Sequence, residues 1–467
     1  MKLSFLKKYF ILFFGLLFLQ SCFDDDDSSS KTYLISNIKN IPVTEADFNF
    51  LNSQVAKIPF AHYSDGKKID LVLSQAVVYY YNYYLYPKNF PISLDNIYTP
   101  EEFVSFLDQK DPFTYYYSPE INSYYSNVDT GDIGKIGFIL EMVNSESPLN
   151  ATNYLKINEI SPFTRAWFDG FKVSDKIIAI DDQALLGMTY EEIKKIFPTK
   201  EGTRLTVTVE RNEETIDIET ACENNLAYLI EDRKIAYFSI RTFTDKTEER
   251  FKEDLESLFQ NYYYETGKNI EKIILDLRDN TGGIIDGAFK LADFLIDQDS
   301  PSKTNLITTS EDNSGNKAPS YLGEYSEYNL VGFNEENFVV LTNSYSASSS
   351  EITVAALKYY GEATIIGTKT YGKGVGQYVM TLLDGSGIAI TAIKNIAPDS
   401  TSYHLTGIEP DYFLNHEPAS KEDDLVLQAA ILFLNGDEIY SKNKPMKNNT
   451  IKKIKRRDFH FPPLNSF

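Results

Sequence analysis

From Lys234 onward the chain alternates short apolar strands with amphipathic helices, and this alternation constrains the fold more than any other feature. "KIAYFSI" leads into the helical pattern "TEERFKEDLESLFQNYYYETG"; "KIILDL" runs through the turn "RDNTGG" into "IIDGAFKLADFLI". "NFVVLTN", "SSSEITVAALKYYG", "ATIIGT" and "GIAITAI" continue the series. Continuous apolar strands joined by helices predict an α/β layer architecture, with chemistry at the turns that follow the strands. No repeat of solenoid length appears.

Two regions of different texture precede this one. Between Thr130 and Cys222, "KIGFILEMV", "YLKINEI", "KIIAIDD" and "RLTVTVER" read as short β-branched strands. "FTRAWFDGF" and "TYEEIKKIF" read as helices between them, which together describe a small β-barrel-like module. From about Ser36 to Tyr125 the sequence is tyrosine-rich and reads as mostly helical. "TPEEFVSFLDQ" has a threonine cap, proline at the first helical position and early glutamates. At 467 residues and 42% hydrophobic content the chain can bury several cores. Its net charge of −22 leaves no basic groove for nucleic acid. The one basic run, "KNNTIKKIKRR", reads as a solvated tail.

The N-terminus "MKLSFLKKYFILFFGLLFLQSC" places lysines before an apolar run from Tyr9 to Leu19, the pattern of a signal peptide. Its end, "LQSC", resembles the lipobox of bacterial lipoproteins, which implies cleavage before Cys22 and lipidation of that thiol. The following "FDDDDSSSK" cannot bury itself and reads as a tether. It also resembles the surface-export signals of Bacteroidota lipoproteins. With Cys22 acylated, the other cysteine, Cys222, has no partner for a disulfide.

The chemistry concentrates between Asn343 and Gln377. "NSYSASSSEI" offers several serines, but a serine hydroxyl attacks only when a base takes its proton. The four histidines lie in no hydrolase motif, and GxSxG and HExxH are absent. Lysine can be the base when desolvation lowers its pKa. Lys373 is the only charged residue of "TYGKGVGQYVMTL" and is flanked by glycines that permit close backbone approach.

"NSYSASSSEI" followed by "GTKTYGKGVGQ" resembles the C-terminal (tail-specific) processing proteases, serine peptidases with a Ser-Lys dyad. The resemblance implies Ser348 as nucleophile, Lys373 as general base and Gln377 as the residue that orients the lysine. "LDLRDNTGG" resembles the family's glycine turn and implies an oxyanion hole from the amides of Gly282 or Gly283 with Ser349. Thr281 stands where the family usually has proline. "GIEPD" and "KDPFTYYYSPE" resemble further family segments and read as structural.

The barrel-like module resembles the PDZ domain inserted in these proteases. That implies capture of apolar C-terminal tails by Gly137, Phe138 and Ile139. Ser174 and Asp182 replace two glycines of the PDZ pattern.

The expected organisation is α/β (α+β multidomain), a ClpP/crotonase-like core with an inserted PDZ-like module. Its parts are a signal peptide over 1–21, a tether over 22–35, a helical region over 36–125, the PDZ-like domain over 126–223, the catalytic core over 224–440 and a basic tail over 441–467. The expected function is a serine endopeptidase without metal or other cofactor. It is anchored at the outer membrane of the cell envelope through Cys22 and acts on protein or peptide substrates. The alternative is a catalytically silent tail receptor of the same fold. A penicillin-binding type of acyl transfer is set aside, because "SPSK" (Ser300 to Lys303) matches SxxK by spacing alone.

Overall fold

The computed structural model describes residues 71–437, apart from 87–93, 95, 109–110, 130, 132–133, 143–146, 231–233, 298–303, 327–328 and 419–422. Cys22, the tether, the basic tail and "SPSK" lie outside the described residues.

Along the chain come α1 (Leu71–Tyr83), α2 (Pro100–Asp108), β1 (Tyr115–Tyr117) and α3 (Pro119–Asp129). The next stretch holds β2 (Phe138–Met142), β3 (Leu155–Ile160), α4 (Arg165–Asp169), β4 (Lys176–Ile180), β5 (Gln183–Ala184), α5 (Tyr190–Ile196), β6 (Arg204–Arg211) and β7 (Glu214–Ala221). Then follow β8 (Asn225–Ile230), β9 (Ile235–Ile240), α6 (Thr247–Thr266), β10 (Ile273–Asp276), α7 (Ile285–Leu295), β11 (Leu306–Asp312) and β12 (Lys317–Tyr321). The last are β13 (Phe338–Thr342), α8 (Ser349–Tyr360), β14 (Thr364–Gly367), β15 (Val375–Thr381), β16 (Gly387–Ile396), β17 (Tyr412–Phe413) and α9 (Leu425–Leu434).

The chain divides into two compact units. The first takes the residues up to Ser126 together with Ser310–Ala318 and Val375–Lys394. In it β1 pairs antiparallel with β16, and β15 lies beside β16. Leu73, Val77, Tyr80 and Phe103 of α1 and α2 share one apolar core with Ile388 and Ile390. The α2 start is capped as its sequence dictates: Glu102 Oε2 accepts the Tyr98 and Thr99 amides while the Glu102 amide donates to Thr99 Oγ1. The sequence placed 375–394 with the catalytic core. Strand pairing across more than two hundred residues, which no local pattern reports, instead joins it to the N-terminal region.

The second unit holds everything else. Its small module is a sheet in the order β2-β3-β4-β6-β7, with β5 beside β4, so β2 is an edge strand. Ser174 (φ 75°) and Asp182 (φ 65°), where the PDZ resemblance expects glycine, adopt left-handed backbone at a cost of roughly 1–2 kcal/mol each. The turn between Lys172 and Asp175 is held all the same, because Arg211 grips Asp175 through Nε (2.7 Å) and Nη2 (2.6 Å).

The larger sheet runs β17-β14-β13-β10-β9-β8. The contacts from β9 through β10, β13 and β14 to β17 are all parallel, and β8 is antiparallel to β9. One face, with Phe238, Leu275 and Val340, packs on Phe251, Leu291 and Ile352 of α6, α7 and α8. The other face, with Tyr237, Ile274 and Val339, packs on Val426 and Ala430 of α9 and on Phe168 of α4. Burying each such side chain is worth about 1.5–3 kcal/mol, so both faces are committed to core. The free positions are the turns at the strand ends.

Candidate active site

Three neighbouring parallel strands, β10, β13 and β14, end at one edge of the sheet, and the turns that follow them build the site. The β13 turn carries the serines. Ser346 Oγ donates to the Leu277 carbonyl (2.8 Å), Ser349 Oγ to Gly283 (3.0 Å) and Ser350 Oγ to Asn280 (2.9 Å). Three hydroxyls of the serine run thus lash the start of α8 to the 277–283 turn. Among the described residues, Ser348 Oγ makes no such bond to that turn. Ser348 is instead held at φ 56°, ψ −114°, a strained backbone for any residue but glycine. It sits between a strand turn and a helix, and the surrounding bonds hold it there.

The turn after β10 comes up against this serine. A Cβ on Gly282 would lie 2.7 Å from Ser348 Cβ and 3.1 Å from the Ser349 amide nitrogen, so only glycine fits. Gly282 donates its own amide to Asn280 Oδ1 (2.9 Å). The Gly283 and Ser349 amides have no acceptor among the described residues. Of the two glycines suggested by the sequence, the structure therefore leaves Gly283 with a donor to spare and engages Gly282. Asn280 is fully buried and organises the turn. Its Nδ2 donates to the Ile240 carbonyl (2.8 Å), and its own carbonyl also accepts the Ala347 amide (3.0 Å).

The third turn, after β14, carries Lys373. Glu351, in the first turn of α8, ties this turn to the serine. Its Oε2 accepts the amides of Ser348 (3.0 Å) and Lys373 (2.7 Å). Its Oε1 accepts Thr370 Oγ1 (2.6 Å) and the Gly372 amide (2.7 Å). One oxygen thus holds the backbone nitrogens of Ser348 and Lys373 no further apart than the two bonds laid end to end. Burial pushes the Glu351 carboxyl above its ordinary range, and the donors from Thr370, Gly372, Lys373 and Ser348 pull it back. The "GIEPD" segment braces the same turn: the Ile408 amide donates to Thr370 Oγ1 (2.7 Å) and the Thr370 amide to the Ile408 carbonyl (3.1 Å).

A buried ion cluster supports the base of the 277–283 turn. Arg278 bonds Asp276 through Nε and Nη2 and Asp424 through Nη1 and Nη2, at 2.6–3.1 Å. Asp424 also caps α9 by accepting the Leu427 amide (3.0 Å). The guanidinium carbon lies 3.8 Å from the centre of the Phe163 ring, which belongs to the small module. Tyr237 Oη donates to Asp276 (2.8 Å), completing the cluster.

Ser348, Ser349, Gly282, Gly283 and the Lys373 backbone are brought together. Gln377 belongs to the first unit, at a bulge in β15, and its Nε2 is buried without a partner among the described residues. Gly137 precedes the edge strand β2, and a Cβ on it would lie 2.2 Å from Thr164 Oγ1. Phe138 packs against Phe171, and Ile139 is 51% exposed on the open edge. The sequence placed Glu351 only as the carboxylate that opens the helix after the serines, where it favours the helix dipole; Asn280 and the Arg278 cluster were not singled out. Glu351 alone carried a signal, as a glutamate three residues into a helix that starts with serine. Among the described residues no cluster of His, Cys, Asp or Glu could hold a metal ion.

Residues 234–414 match the sequence model described as Peptidase family S41. The "Probable CtpA-like serine protease" of Staphylococcus aureus (strain COL) is 30% identical over 310 residues, 65% of this chain and 57% of the relative. The protein of that name in Staphylococcus haemolyticus (strain JCSC1435) is 28% identical over 312 residues. The chain thus spans little more than half the length of these relatives. Among solved structures, a putative S41 protease from Bacteroides fragilis NCTC 9343 aligns with TM-score 0.48 at 18% identity, covering 79% of this chain and 98% of that one. A photosystem II D1 C-terminal processing protease aligns with TM-score 0.41 at 20% identity, covering 80% and 94%.

Proposed function

We propose that the chain, whose residues 234–414 match the Peptidase family S41 model, is a serine endopeptidase of the C-terminal processing type. Ser348 Oγ attacks the peptide carbonyl carbon while Lys373, neutral at that moment, takes the hydroxyl proton. The amides of Gly283 and Ser349 receive the oxyanion, each worth a few kcal/mol in the transition state. The lysine then passes its proton to the leaving amine, and water, deprotonated by the same base, resolves the acyl-enzyme. The observation that carries this reading is the single Glu351 oxygen that holds the Ser348 and Lys373 amides together, beside a strained serine and a glycine turn.

In the same reading the small module is PDZ-like and takes substrate C-terminal tails. Its edge strand β2 offers unpaired backbone groups for strand addition, and the loop at Gly137 would receive the carboxylate. Lipidation of Cys22 and residence in the cell envelope, at the outer membrane, complete the proposal. Labelling by a fatty-acid analogue in cells, lost in Cys22→Ala, tests that part.

The catalytic part is tested with the soluble chain from Phe23, wild type beside Ser348→Ala and Lys373→Ala, on an unfolded protein that ends in an apolar tail. Cleavage by wild type alone, rising with pH as the lysine loses its proton, is expected. Equal tail binding by all three with no cleavage by any would favour the silent receptor.

A further inference from the structure

Three exposed apolar side chains stand on segments next to the site and have no role in the proposed chemistry. Tyr345 is 59% exposed, Tyr371 54% and Leu405 79%. Isolated exposed apolar residues are ordinary, and Leu186 on the small module is one. These three differ because backbone hydrogen bonds join their segments in series. Ser346, next to Tyr345, accepts the Tyr371 amide (3.0 Å); Gly372, next to Tyr371, accepts the Leu405 amide (2.8 Å). Ser348 lies two residues from Ser346, and Lys373 follows Gly372. The segments that carry these three side chains are therefore bonded directly beside those that carry nucleophile and base.

Leu405 is also held there against its own preference. Its φ of 62° is left-handed, which is unfavourable for a bulky side chain, and it exposes most of a leucine to water. The loop cannot relax easily. The amides of Thr406 and Gly407 both donate to the carbonyl of the buried Tyr403. A Cβ on Gly372 would lie 2.9 Å from the Gly407 nitrogen, and one on Gly374 2.9 Å from His404 Cβ. The loop is thus packed backbone to backbone onto the lysine turn. Strain combined with exposure beside a reactive serine is the pattern of a substrate contact.

We propose that Tyr345, Tyr371 and Leu405 form a specificity wall that takes a large apolar side chain adjacent to the substrate's scissile bond. This deepens the peptidase reading and rests on it. Desolvating leucine and two tyrosine faces against such a side chain favours it over a small one, and each methylene in an apolar contact is worth about tenfold or more in selectivity.

The test compares wild type with Leu405→Gly, which removes the wall's most exposed member and relieves the left-handed backbone. Substrates are C-terminally amidated peptides, which cannot use a carboxylate-binding tail site, with Leu or Ala placed on either side of the cleaved bond. The expected result is a loss of about tenfold or more in kcat/KM for the Leu peptide, carried by KM, with the Ala peptide changed by less than about twofold. The pH profile should stay in place. Equal losses on both peptides, or a selectivity change only at positions remote from the bond, would overturn the wall. The same pair is then measured by equilibrium binding in the Ser348→Ala background, where the Leu-over-Ala preference should fall with Leu405→Gly. A wild type that cleaves nothing, with this binding preference intact, would refute the peptidase and keep the wall. A wild type that cleaves but shows no Leu-over-Ala preference in either assay refutes the wall alone.

Discussion

Glu351 and Asp276 are both carboxylates withdrawn wholly from water, and they are compensated in opposite ways. Glu351 is received by three backbone amides and one hydroxyl, all neutral. Asp276 shares the guanidinium of Arg278 with Asp424, and Tyr237 adds a hydroxyl. The first arrangement draws together the two short turns that carry Ser348 and Lys373, the residues proposed to exchange a proton. The second clamps elements far apart in sequence: the end of β10, the cap of α9 and, through the Phe163 ring, the small module. Neutral donors supply direction at many points. A buried cation supplies strength at one.

The comparison predicts different failures. Arg278→Met leaves two buried aspartates without their cation, and breaking such a pair costs about 3–5 kcal/mol. Chemical denaturation should show that loss, with activity surviving in whatever fraction stays folded. A loss under 1 kcal/mol would mean that the aspartates take up protons or water at little cost, and the clamp would lose its meaning. Glu351→Gln keeps the shape but turns an NH₂ toward donors, so one or two amides lose their acceptor. Stability should fall less, by about 1–3 kcal/mol. The rate should fall more, on the order of 100-fold in kcat with KM little changed, because displacing the Ser348 and Lys373 turns by even 1 Å is that expensive. If Glu351→Gln instead lost stability and kept kcat, Glu351 would be a structural residue like Asp276, and the contrast would collapse.

These two centres also mark what the sequence could convey. Periodicity located the parallel strands and their helices, because both faces of the sheet are buried and the apolar runs say so. The serine run and the glycine turn were visible as local strings. Ser174 and Asp182 were visible as departures from glycine, and the fold keeps the left-handed turns regardless. What stayed hidden depends on partners remote in the chain. The donors that Glu351 receives from Thr370, Gly372 and Lys373 lie about twenty residues ahead of it, and Asp424 lies far beyond Arg278. The pairing of 375–394 with β1 is hidden for the same reason. Leu405 was hidden because neither its backbone angle nor its exposure leaves a mark in composition.

Glu362 supplies a third case, a carboxylate compensated by almost nothing, and so the smallest and cleanest test. It lies just past the C-terminal end of α8, at the opposite end of the helix from Ser348, and is 7% exposed. Burial, then the nearby Asp297, push its carboxyl up to about 7, and the Asp297 amide offsets this only in part. The C-terminal end of a helix dipole disfavours a negative charge as well. In the unfolded chain the group titrates near its ordinary 4.5. Below that value both states hold the proton and the group contributes nothing. Between about 4.5 and about 7 the unfolded state releases its proton first, so stability falls as pH rises, and above about 7 the penalty is constant. Glu362→Gln removes the titration. Thermal unfolding at pH 8 should therefore come at a higher temperature in the variant than in wild type, with the two converging near pH 4. A variant that unfolds earlier at pH 8 would mean that the Glu362 carboxylate has a compensating partner, as Glu351 and Asp276 do.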